Sequence, residues 1–155
     1  MFGTNSFLLK ERRMIMIDIK IVYHNDPGDD IGAFIDRGFT CYAEKFGIDV
    51  DYEIFAFTAE ENGRIVGVVQ GHSYYKEVHI SELIVDEKYR GRDIGTKLIQ
   101  TVEEHFSGKG LENINLTTYG FQAPEFYKKS GFEVEYIRKS KYEPDLDKYF
   151  MVKYF

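Results

Sequence analysis

Residues Val85 to Phe106 read VDEKYRGRDIGTKLIQTVEEHF. An apolar run ends here, four charged or polar residues follow, and a glycine-spaced loop, RGRDIGT, leads into a helical pattern. In that pattern Ile94, Leu98, Val102 and Phe106 recur every four residues with Ile99 beside them, which makes one apolar stripe. Gly108 and Gly110 end it. The loop therefore opens a helix. The first N–H groups of a helix have no internal acceptor and the macrodipole is positive there, so an anion can sit on them. Gly91 and Gly95 remove Cβ atoms from that approach, and Arg90 and Arg92 add positive charge. A glycine turn that merely starts a helix reads equally well from these residues alone. The Walker spacing fails, since Gly95 precedes Thr96-Lys97, and no G-x-G-x-x-G occurs.

The elements around the loop define the class. Ile17 to His24, IDIKIVYH, alternates and reads as a strand. The run from Asp26 to Gly47 reads as helical, with Asp26 to Asp30 supplying cap candidates. YEIFAFTAE and RIVGVVQGHSYY flank Asn62-Gly63 and read as a hairpin. Glu77 to Asp86 is the next strand, before the loop and its helix. LENINLTTY then reads as a strand, APEFYKKSG as a short helix, and FEVEYIRKS and KYFMVKYF as two more strands. This order is mixed α/β, with helices crossing between strands in the second half.

With 155 residues the chain has the size of one domain, and 43% hydrophobic residues exclude a disordered class. A formal net charge of −6 argues against nucleic acid as a partner, because phosphate backbones need a basic face. It suits a cationic substrate. One cysteine, Cys41, allows no internal disulfide, so a reducing, cytoplasmic location is expected. No apolar run has membrane-spanning length, and the first residues carry no signal-peptide pattern. Residues 1–15 read as a loose N-terminal extension, with Met14 or Met16 as alternative starts. The histidines have no metal-ligand spacing, so no metal is expected.

LIVDEKYRGRDIGTKLI resembles the cofactor motif of the GNAT-type (Gcn5-related) N-acetyltransferases, Arg/Gln-x-x-Gly-x-Gly/Ala after a strand, through Arg90, Ile94 and Gly95. Asp93 stands where the first motif glycine is usual and is expected to face solvent or cap the helix. TTYGFQAPEFYKKSGFE resembles the family's second motif through Ala123, Phe126, Tyr127, Gly131 and Phe132. Gly120 and Gln122 lie near the place of a usual asparagine. The resemblance spans residues 17–155.

It implies a single domain over residues 1–155 with a mixed, mostly antiparallel central sheet of about six to seven strands flanked by helices. It also implies direct acetyl transfer from acetyl-CoA to a primary amine, with acetyl-CoA the co-substrate and no metal. The diphosphate would lie on the N–H groups of Arg92, Asp93, Ile94, Gly95 and Thr96, beside Arg90 and Gly91. The pantetheine would run along Glu82, Leu83, Ile84 and Val85. That strand would be bulged and splayed from the one near Asn113 to Thr117, and a freed N–H would polarise the thioester carbonyl.

The catalytic candidates are three. Tyr127 matches the family's general acid, and reads otherwise as an aromatic packing its helix on the sheet. His79 lies where many relatives carry a glutamate, and an ordinary histidine pKa near 6.5 suits a base. Glu82 is the third, although strand alternation turns it away from His79. Acceptor selection is expected from residues 32–51 and from the loop after Lys139, where aromatic rings and carboxylates suit a cationic amine or ordinary packing equally. The acceptor could be a small molecule or a protein lysine, and the aromatic C-terminal strand could pair across a homodimer. The alternative is an inactive acyl-CoA sensor or interaction module of the same fold.

Overall fold

The computed structural model describes residues 19–155. The chain divides into two compact units after Gly38. A helix, α1 (Asp29–Glu44), runs across that division. Asp29 and Asp30 occupy its first turn, where the positive end of the macrodipole favours carboxylates. Residues 19–24 are not a strand, contrary to their alternating pattern. Alternation supplies two side-chain faces, but a strand also needs a neighbour for its N–H and C=O groups, and no ladder of the sheet includes these residues. Ile17 and Asp18, and the expected N-terminal extension, lie outside the described residues.

The second unit is built on six strands. They are β1 (Glu53–Glu61), β2 (Arg64–Tyr74), β3 (Glu77–Val85), β4 (Asn113–Tyr119), β5 (Glu133–Arg138) and β6 (Lys148–Tyr154). Their order in the sheet is β1-β2-β3-β4-β6-β5. Only β3 and β4 are parallel, joined by the crossover helix α2 (Ile94–Phe106). A short helix, α3 (Pro124–Lys129), leads from β4 to β5. The sheet is thus mixed and mostly antiparallel, as expected.

The β1–β2 hairpin turns at Asn62 and Gly63, both at positive φ (52° and 75°), as a type I′ turn requires. The β2–β3 turn does the same with Tyr75 and Lys76, neither a usual residue there (φ 50° and 69°). Contacts from elsewhere in the unit hold it: Tyr75 N donates to Val50 O and Lys76 O accepts from Glu112 N.

Leu98, Ile99, Val102 and Phe106 of α2 are buried against Phe55, Val69, Val78, Ile80, Ile114 and Leu116 of the sheet. Phe106 meets Phe55 edge-on with ring centroids 5.1 Å apart. Each such side chain contributes about 1.5–3 kcal/mol through apolar burial. This packing fixes the N-terminus of α2 over the end of β3. The C-terminal strand β6 is internal, paired with β4 on one side and β5 on the other. Strand pairing with a second copy would therefore need β1 or β5.

Candidate active site

β3 and β4 pair only from Glu77–Asn113 to Ile80–Leu116. Beyond those pairs the two strands diverge and leave a cleft of about 900 Å³, within the range of small-molecule sites. One wall is β3 from Ser81 to Val85, and the other is Thr117, Thr118 and the segment from Phe121 to Tyr127. The loop before α2 closes one end. The backbone of β3 facing the cleft has lost its strand partner. Val85 O accepts from Arg90 Nε at 3.2 Å, so it points into the opening. Peptide groups alternate along a strand, so the N–H and C=O of Leu83 face the same way.

A bulge determines which side chains share a face. On β2 Gly71 pairs with Ile80 and Gln70 pairs with Glu82, leaving Ser81 as the extra residue. His79 and Glu82, three apart, would face opposite ways on a regular strand. The bulge returns them to one face. Glu82 accepts from Gln70 Nε2 at 3.0 Å, and the His79 ring lies 5.4 Å from His72, two residues from Gln70. The expectation that alternation separates them is corrected.

At the helix end, the first intrahelical bond runs from Lys97 N to Asp93 O, so the N–H groups of Ile94, Gly95 and Thr96 precede the ladder. Asp93 is the N-cap residue but its side chain makes no cap hydrogen bond. Its backbone is left-handed, φ 59° and ψ 13°. The position favours glycine for that conformation, and aspartate is among the few other residues that adopt it readily. Gly95 answers to packing as well as to ligand approach. A Cβ there would stand 3.2 Å from Cζ of Phe126.

Every residue expected at the cofactor lines this cleft except Arg92, whose guanidinium lies over the Tyr89 ring at 5.0 Å. Of the catalytic candidates, Tyr127 and Glu82 line it. Tyr127 is 8% exposed, and burial pushes its phenol pKa up. Its ring packs edge-on to Phe126 and Phe132, at 5.1 and 5.8 Å. His79 is not in the cleft wall; it stands in the last paired stretch of β3, with Nδ1 2.7 Å from Asn115 Oδ1. Burial, with His79 as a second cause, lowers the pKa of its neighbour His72.

Ser81 and Thr118, which the sequence did not single out, complete the wall with Phe121, which lies in the second motif. Gln122 also lines it, and its Oε1 accepts from Tyr119 N at 3.0 Å, which fixes the turn where β4 ends. Of Ser81 and Thr118, only the Ser81 position had a signal, the resemblance's bulge. Among the described residues no group of three or more His, Cys, Asp or Glu side chains could hold a metal ion. No helix among them is long and apolar enough to cross a membrane.

Comparison with known proteins gives the site its context. A curated relative, blasticidin-S acetyltransferase of Streptomyces morookaense, is 29% identical over 103 residues, covering 65% of this chain and 75% of its own. The crystal structure of an acetyltransferase from Bacillus cereus superposes with a TM-score of 0.71 at 26% identity, covering 86% of this chain and 98% of that one. Naa50 of Arabidopsis thaliana, solved with the bisubstrate analogue CoA-Ac-MVNAL, has a TM-score of 0.56 at 28% identity, over 64% of this chain and 72% of its own. The model of the Acetyltransferase (GNAT) family matches residues 21–132, more than half of the chain. With a sheet split beside a free helix N-terminus and this match across it, the chain belongs to the GNAT family of acetyltransferases.

Proposed function

We propose that the chain transfers an acetyl group from acetyl-CoA to a primary amine in one direct step, with the reaction at the mouth of the β3–β4 cleft. The observation that carries this reading is the divergence of β3 from β4 beside the free N–H groups of Ile94, Gly95 and Thr96. Those groups suit a diphosphate, and the unpartnered backbone of Leu83 suits an extended amide chain laid along the strand. The diphosphate also gains from Arg90.

The amine nitrogen attacks the thioester carbonyl; a C–N bond forms and the C–S bond breaks. An ammonium has no lone pair, so its proton must leave first. His79, directly or through one water, accepts that proton, with Glu82 on the same face to attract the cation. A freed N–H of β3 stabilises the oxyanion. Tyr127 donates its proton to the departing sulfur, and burial keeps its phenol protonated for that role. The mildly acidic chain and the carboxylates near the site suit a cationic acceptor. A cytoplasmic location, where acetyl-CoA is available, completes the reading.

Calorimetry with acetyl-CoA on the wild type and on Thr96→Glu tests it. Thr96 lines the cleft in the first turn of α2. A glutamate there favours the helix through the macrodipole while placing a negative charge against the diphosphate. Micromolar binding by the wild type, lost in a folded variant, supports the reading. No binding by folded wild type would sink it. Turnover is then sought with a polyamine, an aminoglycoside, an amino-acid amide and a lysine peptide. Binding without transfer to any of them would favour the sensor alternative.

A further inference from the structure

Outside the cleft, the sheet face that carries His79 holds a polar network that the reaction scheme has not used. Asn113 Nδ2 donates to Glu77 Oε1 at 3.1 Å, and Asn115 Nδ2 donates to Glu77 Oε2 at 3.2 Å. Asn115 Nδ2 also donates to Asn113 Oδ1 at 3.1 Å. Asn115 Oδ1 lies 2.7 Å from His79 Nδ1. Asn113 is 6% exposed and His79 half-buried, while Glu77 at the outer end of the network is exposed.

The chemistry of the groups orders this network. An ionised carboxylate only accepts, so both asparagines must turn their NH₂ ends to Glu77. That leaves Asn115 Oδ1, an acceptor, facing His79. Nδ1 of His79 must then carry a hydrogen. In a neutral imidazole only one nitrogen is protonated, so Nε2 holds the free lone pair. We infer that Asn115 and Glu77 are positioning residues, which lock His79 in the Nδ1–H tautomer and leave Nε2 as the atom that takes the proton from the acceptor amine. The inference rests on the reading of His79 as the base. It adds that the base is oriented by a chain of two side chains reaching across β3 and β4. The same bonds stabilise the imidazolium formed when the proton arrives, because Nδ1–H keeps its acceptor in both states.

The other titratable groups here come from four segments. β2 presents His72 and Tyr74, and β3 presents Glu77 and Glu82. The Tyr52 ring lies 5.9 Å from that of His72, and β6 places Tyr154 opposite Asn113. β4 presents Asn113 and Asn115, which carry no charge. Glu82 bonds to Gln70 rather than to His79. The orientation of the ring therefore depends on Asn115.

The test has two arms. Side-chain ¹⁵N–¹H correlation spectra at about pH 8, above the ordinary histidine range, read the tautomer in the free protein, with His79→Gln assigning the signal. The wild type is expected to show Nδ1–H, and Asn115→Ala to gain Nε2–H. Glu77→Gln, at an exposed position, is the second variant and is expected to give a mixture. The kinetic arm uses the best acceptor of the amine panel. Asn115→Ala is expected to lower kcat roughly ten- to hundredfold, part of what a general base contributes, with KM for acetyl-CoA held. A wild-type Nε2–H tautomer, or a tautomer unchanged in Asn115→Ala, overturns the positioning role and leaves His79 as base if His79→Gln is slow. Full rate in His79→Gln removes the base reading and this inference together, whatever the tautomer.

Discussion

A Cβ built on Gly71 would stand 1.9 Å from the carbonyl oxygen of His79. Gly71 pairs with Ile80, the neighbour of His79, across β2 and β3 beside the bulge that admits Ser81. No side chain can be added there without moving backbone. The bulge brings Glu82 onto the face of His79, so this glycine also underwrites the site. Gly71→Ala should cost about 3 kcal/mol or more, in the range of overpacked core positions. Denaturant unfolding checks it. A loss below about 1 kcal/mol would mean that the strands can part without cost.

Gly95 predicts a different outcome. Its Cβ would meet the Phe126 ring at 3.2 Å, and a ring edge can give by a few tenths of an ångström. Alanine also gains about 1 kcal/mol of helix propensity over glycine. The two effects nearly cancel, so Gly95→Ala should stay within about 1 kcal/mol of the wild type. Phe126→Leu in the same chain should relieve the clash, and a double-mutant cycle should report a coupling of about 0.5 kcal/mol or more.

Asp93→Gly isolates the cost of the departure from the motif. Left-handed backbone costs a residue with a Cβ roughly 1–2 kcal/mol, less for aspartate, and glycine loses about 0.5–1 kcal/mol through the freer unfolded chain. Stability should therefore hardly change. Acetyl-CoA binding should tighten by several-fold, because a carboxylate leaves the wall that receives the diphosphate. Calorimetry against denaturation separates the two effects, and unchanged affinity would place the Asp93 carboxylate away from the ligand.

Arg90 and Arg92 should part company. Arg90 lines the cleft and Arg92 lies over Tyr89. Losing one charge-assisted contact costs about 1.5–3 kcal/mol, so Arg90→Ala should weaken acetyl-CoA binding by about tenfold or more. Arg92→Ala should change it about twofold at most, as an exposed charge does. Equal losses would show that Arg92 swings in when ligand binds.

Tyr127 carries the pH prediction. Its phenol pKa is raised by burial, so the neutral form is the one that the fold favours. The stability this gives is fully present below the ordinary tyrosine pKa of about 10 and is lost as pH rises through the raised value. Tyr127→Phe should remove that alkaline sensitivity. It should also lower kcat by about 10²-fold or more with acetyl-CoA binding intact, as expected for loss of a general acid. A kcat unchanged in the variant would return Tyr127 to a packing role.

Much of this was legible in the residues themselves. The apolar stripe of α2, the Asn62-Gly63 turn and the two motifs depend on neighbours close in sequence, so periodicity and spacing report them directly. The same locality misleads at Ile19 to His24, where alternation supplied faces but no partner strand. The bulge at Ser81 was implied by resemblance alone, since it exists only in the pairing of β3 with β2.

The sequence by itself determined the helix that follows the loop, the mixed order of elements and the residues able to meet an anion. Tertiary structure alone decided that His79 and Glu82 share a face, that Gly95 lies beneath Phe126, and that Glu77 reaches His79 through Asn115. The physical reason is the same each time. These relations join residues on different strands or helices, and register and packing, which set them, are properties of the assembled sheet rather than of any one segment.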